Sequence, residues 1–243
     1  MGLVRPSGGI EELVDETSGR EVVAAPPLLD RFAELMGKYE QFLGFEYRDR
    51  VLMINHVHEV LLPCDINLFL QQTRYYEDHK DYPDHTGLFI SQLIQNSYTA
   101  GNNDFELDMS SLKPIDCLTF GEYGIEERVL KAVINGEVGN LGGGNSQHST
   151  FTIEKAGNYC GRFAQYSTFT VEKAGDGCGE YAHHSILTIK ETGDFCGSAA
   201  QHSIFKTHNS NQYERFKESV PRKRGNRLYL IAADGSIIKG GKW

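Results

Sequence analysis

At 243 residues, with 40% hydrophobic and 23% charged residues, the chain can bury a sizeable core in one large domain, or in a medium domain with an appendage. A net charge of -9 excludes a whole-chain field that draws in nucleic acid or an anionic membrane. Apolar runs no longer than "LYLIAA" fall far short of the roughly 20 residues a membrane helix needs, so no membrane contact is expected. Five cysteines, an odd number with Cys64 and Cys117 isolated, read as a chain of the reducing cytoplasm rather than a disulfide framework.

The charge is unevenly placed. From Lys206 to Trp243, nine Lys or Arg stand against Glu214, Glu218 and Asp234, a net of +6, which leaves -15 on residues 1–205. The pattern is a basic tail on an acidic body.

Residues 1–26 mix Gly, Pro, Glu and Ala without a period and are expected to form a mobile arm. The arm lacks the apolar region of a secretory signal, and Pro6 stands where a myristoylation pattern requires Ser or Thr. From Pro27, the residues Leu28, Leu29, Phe32, Leu35, Met36, Tyr39, Phe42 and Leu43 recur at three- and four-residue steps, predicting an amphipathic helix that ends near Gly44. "RVLMINHVHEVLLP" fits a strand or a buried helix, with Pro63 ending the run. Asp65 and Thr86 are placed as N-caps of helices through "INLFLQQTRYYEDH" and "GLFISQLIQNSYTAG", and Gly101 as a C-terminal cap. The helical region is thus expected over 27–103. The short apolar segments of "FELDMSSLKPIDCLTFGEYG" then open a β region.

Within that region the chain repeats every 18 residues. Gly139, Gly157, Gly175 and Gly193 form one column; Gly143, Gly161, Gly179 and Gly197 form a second. Ser149, Ser167, Ser185 and Ser203 form a serine column, and Phe151, Phe169, Leu187 and Phe205 an apolar one. Ile153, Val171 and Ile189 lie two residues further on, which is strand periodicity with the apolar side chains inward. Repeats this short must stack to bury a face, so each column predicts a ladder in a solenoid. Glycine columns then mark corners of positive φ or close approach, and Ala164, Ala182 and Ala200 mark a narrow interior. A left-handed hexapeptide coil is disfavoured, because stepping back by six from Phe169 meets Phe163 and then Gly157. A right-handed coil agrees with the usual crossover hand.

"FTIEKAGNYCG" and "LTIKETGDFCG", preceded by "AVINGEVGNLGGG", resemble the glycine-rich repeat of the C-terminal β-helix domain of the glutamate synthase large subunit and of the β-helical subunit of formylmethanofuran dehydrogenase. The matching positions are Gly157, Asn158, Tyr159 and Gly161, then Gly193, Asp194, Phe195 and Gly197, and the likeness covers roughly residues 121–208. Where that pattern has methionine and paired glycines, this chain has Ser146, Ala164, Ala182 and Ala200, then pairs such as His148-Ser149 and Tyr166-Ser167. The resemblance implies a right-handed β-helix and transfers no catalytic residue.

The fold expected is therefore α+β: helices over 27–103, a right-handed parallel β-helix of 18-residue coils over 104–208, and a basic tail with a β-hairpin turning at Asp234-Gly235 over 209–243. Cys160, Cys178 and Cys196 share one column and read as small apolar fillers of an internal corner, lacking Cys-x-x-Cys spacing. His148, Tyr166, His184 and His202 share another, beside Gln147, Gln165, His183 and Gln201. His183, His184 and His202 are the candidate ligands for a divalent metal, weighed against a surface polar ladder; no other cofactor is implied.

The cluster of Glu77, Asp78, Asp81 and Asp84 with His79 and His85 reads as a solvated loop; the alternative is an enzyme site between the helical part and the β-helix, lined by His56, His58 or this cluster. Arg222, Lys223, Arg224 and Arg227 are candidates for phosphate or partner contact, weighed against capping of the solenoid end. No phosphate-cradling Gly-x-x-x-x-Gly-Lys loop and no Gly-x-Ser-x-Gly elbow occurs. The leading expectation is a non-enzymatic scaffold that binds a protein partner. An enzyme with a His/Asp site, and a nucleic-acid binder acting through the tail, are the alternatives.

Overall fold

The computed structural model describes residues 26–46, 54, 56–119 and 125–242. The arm expected over 1–26 lies, apart from Pro26, outside them, as does most of the first half of the "RVLMINHVHEVLLP" run. Helix α1 (Pro26–Leu43) follows its pattern, with Phe32, Leu35, Tyr39, Phe42 and Leu43 buried along one stripe.

Helix α2 spans Pro63–Gln72. Pro63 therefore opens a helix rather than only ending an apolar run, because in the first turn its missing N–H has no intrahelical acceptor to lose. Asp65 lies in the first turn and Leu62 occupies the cap position, without a side-chain bond. The helix stops at Gln72 and tightens into a 3-10 turn, Thr73–Tyr76. Helix α3 (Tyr82–Thr99) starts ahead of Thr86, again with a proline in its first turn. Thr86 is instead buried mid-helix, its Oγ1 2.6 Å from the Tyr39 hydroxyl. Gly101, at φ +109, closes α3 as expected, its N–H donating to the Tyr98 carbonyl. Phe69 stacks on Phe89 at 5.7 Å, and Tyr39 meets both edge-on, which welds the three helices together.

Eight strands form one open sheet in chain order: β1 (Asp104–Met109), β2 (Leu130–Val138), β3 (Ser149–Ala156), β4 (Thr168–Ala174), β5 (Ile186–Glu191), β6 (Ile204–Thr207), β7 (Arg227–Ile231) and β8 (Ile237–Lys242). All neighbours run parallel except β7 and β8, the expected hairpin, which turns at Gly235 with φ +83. With four helices among the described residues, the fold is α+β around a mostly parallel sheet.

From β3 to β6 the partner residues are 18 apart, pairing Phe151 with Phe169, Phe169 with Leu187, and Leu187 with Phe205. These side chains are fully buried, and the Phe151 and Phe169 rings stack at 4.7 Å. A second row of parallel bridges, Gln147 to Gln165 to His183 to Gln201, runs outside the strands at the same interval. Between the two rows, backbone N–H groups also bond one repeat onward: Tyr159 to Asp176, Phe163 to Glu180, and Tyr166 to His183.

The two glycine columns do different work. Gly143, Gly161, Gly179 and Gly197 have φ between +65 and +68, where a side chain is disfavoured. At Gly175 and Gly193 the need is space: a Cβ there would fall 2.3 Å from Asn158 Oδ1 and 1.9 Å from Asp176 Oδ1. Those oxygens belong to a ladder in which each Asx side chain accepts the N–H of the next, Asp116 to Asn140 to Asn158 to Asp176 to Asp194.

Helices pack against the sheet at its β1 edge and beside β6. Asn67 Oδ1 on α2 accepts the Asp108 N–H, and Gln71 Nε2 donates to the Asp108 carbonyl, so the helix satisfies part of the β1 edge. After β6 comes a helix not expected from the sequence, α4 (Ser210–Ser219), capped by Asn209 and burying Phe216 against Phe205. It supplies only Tyr213 and Phe216 as buried apolar residues, so its periodic signal is faint in a tail dominated by charge.

Candidate functional site

Each 18-residue repeat turns through left-handed backbone at several non-glycine positions. Tyr159, Phe163, Tyr166, Tyr181, His184, Phe195 and His202 all have φ between +50 and +62. Their side chains leave the core: Tyr159, Phe163, Tyr166, Tyr181 and Phe195 are between 40% and 70% exposed. Parallel stacking of the repeats then places equivalent rings one above another.

His148, Tyr166, His184 and His202 form a continuous stack, with centroids 5.1, 5.1 and 5.0 Å apart and planes within 4° to 9°. Phe163 and Tyr181 form a second, at 5.0 Å. Arg162 lies over the rings of Tyr159, Phe163 and Tyr181 at 4.8 to 5.7 Å, and its Nε is 3.0 Å from Glu180 Oε2.

Both stacks finish against one turn. Arg224 Nη1 donates to the carbonyl of Ala199, the residue that follows Tyr181 in its column, and the Arg224 carbonyl accepts the His202 N–H. Gly225 lies so close to the His202 ring that a Cβ would fall 2.6 Å from Nδ1. Arg222, Lys223 and Arg224 form this exposed 3-10 turn, whereas Arg227 sits on β7, paired in register with Ile204 and Lys242. The tail thus brings three of the four predicted cations to the foot of the ring stacks.

The three candidate metal ligands do meet. His183 lies edge-on to His184 at 4.3 Å and to His202 at 5.9 Å. Because the His184 and His202 rings are parallel, their in-plane lone pairs run side by side instead of converging on one ion. Among the described residues, no group of three or more His, Cys, Asp or Glu is arranged to hold a metal. Burial, then the neighbouring His184 and His202, lower the His183 pKa below its ordinary value.

The cysteine column is internal. Cys160, Cys178 and Cys196 are buried free thiols, and for Cys160 the hydrogen bond with Cys178 followed by burial pushes the thiol well up. A thiol held protonated fills a corner and is a poor nucleophile or ligand.

The acidic cluster is absorbed by local structure. Glu77 accepts the Lys113 N–H at 2.8 Å, and Asp78 pairs with Lys113 Nζ at 3.0 Å. Asp81 occupies the cap position of α3 without a side-chain cap bond, its N–H donating to His79 Nδ1 and its Oδ2 3.7 Å from Lys80 Nζ, and Asp84 Oδ1 is 3.8 Å from Cys117 Sγ. His85 is buried with Nδ1 3.0 Å from the Asp81 carbonyl and Nε2 3.1 Å from that of Phe45. His56 lines a cleft of 210 Å³ with Lys38 and Phe45, and its ring is 6.5 Å from His58.

The sequence patterns named Tyr159, Tyr166 and Phe195 only as repeat positions and did not mark them, or Phe163 and Tyr181, as exposed rings. Tyr159 and Phe195 share a column with Gly177, and Phe163 and Tyr181 one with Ala199, so large aromatics in corner positions that tolerate small residues were the available signal. The chain matches no family model, and neither a curated protein nor a solved structure matches it significantly. No helix among the described residues is long and apolar enough to cross a membrane.

Proposed function

We propose that the protein is a non-enzymatic scaffold: a right-handed parallel β-helix of 18-residue coils that presents its ring stacks to a protein partner in the cytoplasm. The constant 18-residue register and the second row of bridges support the coil, as does the likeness to the glycine-rich β-helix repeat. The hand follows the crossover preference of parallel strands.

The observation that carries the interaction role is the placement of exposed aromatic residues in left-handed backbone. A non-glycine residue there costs roughly 1–2 kcal/mol. Glycine or asparagine relieves that cost, as Gly177 does in the column of Tyr159 and Phe195. Retaining rings at a stability cost, clustered on one surface, marks a contact surface rather than a packing solution.

The test is a tagged chain in which Tyr159, Phe163, Tyr166, Tyr181 and Phe195 are changed to Asn. The expected result is a protein that keeps its melting behaviour and loses the partners cross-linked to the wild type. An unchanged partner set overturns the reading.

A further inference from the structure

The scaffold reading leaves open what chemistry the ring face accepts, and the geometry narrows it. Tyr166 has His148 on one face and His184 on the other, and His184 is likewise enclosed by Tyr166 and His202. The inner rings of this stack therefore present edges, not faces, to a ligand. A ring edge carries the positive side of the aromatic quadrupole. The edges of this face also carry the hydroxyls of Tyr166 and Tyr181 and the nitrogens of three imidazoles. At the foot of the stacks stand Arg222, Lys223 and Arg224, all exposed. Of the carboxylates beside the rings, Glu180 is paired with Arg162, and Asp194, next to Phe195, with Arg215.

We infer that this face binds an acidic, extended segment of a partner protein, its carboxylates meeting the ring edges and the Arg222–Arg224 turn. The inference rests on the scaffold reading and names the partner's chemistry. A single-stranded nucleic acid also seeks cations and aromatics, but it binds by laying bases on ring faces. Here the stacked faces are about 5 Å apart. Inserting a base opens such a gap to about 7 Å, twice the 3.4 Å base rise, and discards the existing stack. Carboxylates take the edges without disturbing it.

The test uses the full chain and fluorescence anisotropy with three labelled probes: a glutamate-rich peptide, a lysine-rich peptide of equal length, and oligothymidylate. The glutamate-rich peptide is expected to bind saturably, at least about tenfold more tightly than either other probe. Its affinity is expected to fall at least about tenfold in Tyr166→Asn/Tyr181→Asn and in Arg222→Ser/Lys223→Ser, with screening by salt adding to the second effect. The second variant leaves Arg224 and its contacts to the last repeat in place, so a folded protein remains to be measured.

Tighter binding of oligothymidylate, no binding of the acidic peptide, or peptide binding unaffected by the ring changes each overturns the inference. If the peptide fails while the ring changes still strip the cross-linked partners, only the acidic chemistry falls. If the partners survive the ring changes, the scaffold reading falls as well.

Discussion

Ser149 and Ser185 hold equivalent positions in one column, yet alanine is expected to cost very different amounts at the two. Both side chains are buried, and each hydroxyl donates to the carbonyl two residues before it, Gln147 or His183. Ser185 Oγ also accepts the N–H of Ser167 at 3.2 Å, as Ser203 Oγ accepts that of Ser185 and Asn226 Oδ1 that of Ser203.

Ser185→Ala therefore removes one donated bond, worth about 1 kcal/mol, and strands the buried Ser167 N–H, a further 1–3 kcal/mol or so. Ser149 heads the column, and its hydroxyl makes one bond, to Gln147, so Ser149→Ala loses about 1 kcal/mol. For a chain of this size each kcal/mol shifts the melting temperature by roughly 2–4 °C. Ser185→Ala is then expected to melt roughly 4–16 °C below the wild type, and Ser149→Ala only about 2–4 °C below it. Thermal unfolding by circular dichroism reads both. Equal losses at the two positions would falsify the claim that the ladder passes its bonds from rung to rung.

Gly193→Ala places a Cβ 1.9 Å from the Asp176 oxygen that accepts the Asp194 N–H, so it is expected to destabilise by about 2–5 kcal/mol; chemical denaturation within 1 kcal/mol of wild type sinks the close-approach argument. Phe195→Asn relieves left-handed backbone at a ring that is 70% exposed, and its melting temperature is expected to match or exceed the wild type, a clear drop counting against the strain argument. His183 has a pKa lowered in the folded state, so the unfolded chain binds the extra proton first. Its contribution is complete above the unfolded value near 6.5 and is lost as pH falls through the lower folded value. His183→Gln, the residue at Gln165 and Gln201, is expected to flatten that part of the stability profile; an unchanged acid slope assigns it to other groups.

Much of the architecture is legible in the sequence because it is periodic. An interval of 18 between glycines, serines and buried aromatics can be read without coordinates, since in-register stacking forces like residues to meet like. Helix α1 is legible for the same reason, as its stripe of apolar residues repeats at the helical period. Local signals that depend on a distant partner misled: Thr86 resembles a cap but binds Tyr39, and Pro63 resembles a stop but opens α2. Helix α4 carries too few apolar residues to announce itself and is held by Phe205.

The candidate face divides in the same way. Columns are a property of the sequence, so it determined that His148, Tyr166, His184 and His202 share a row. Only the tertiary structure decided that their rings lie parallel and present edges, because ring orientation follows from the left-handed backbone at each corner. It alone also decided that the Arg222–Arg224 turn closes both stacks, a contact made by chain that returns past α4 to pair with β6.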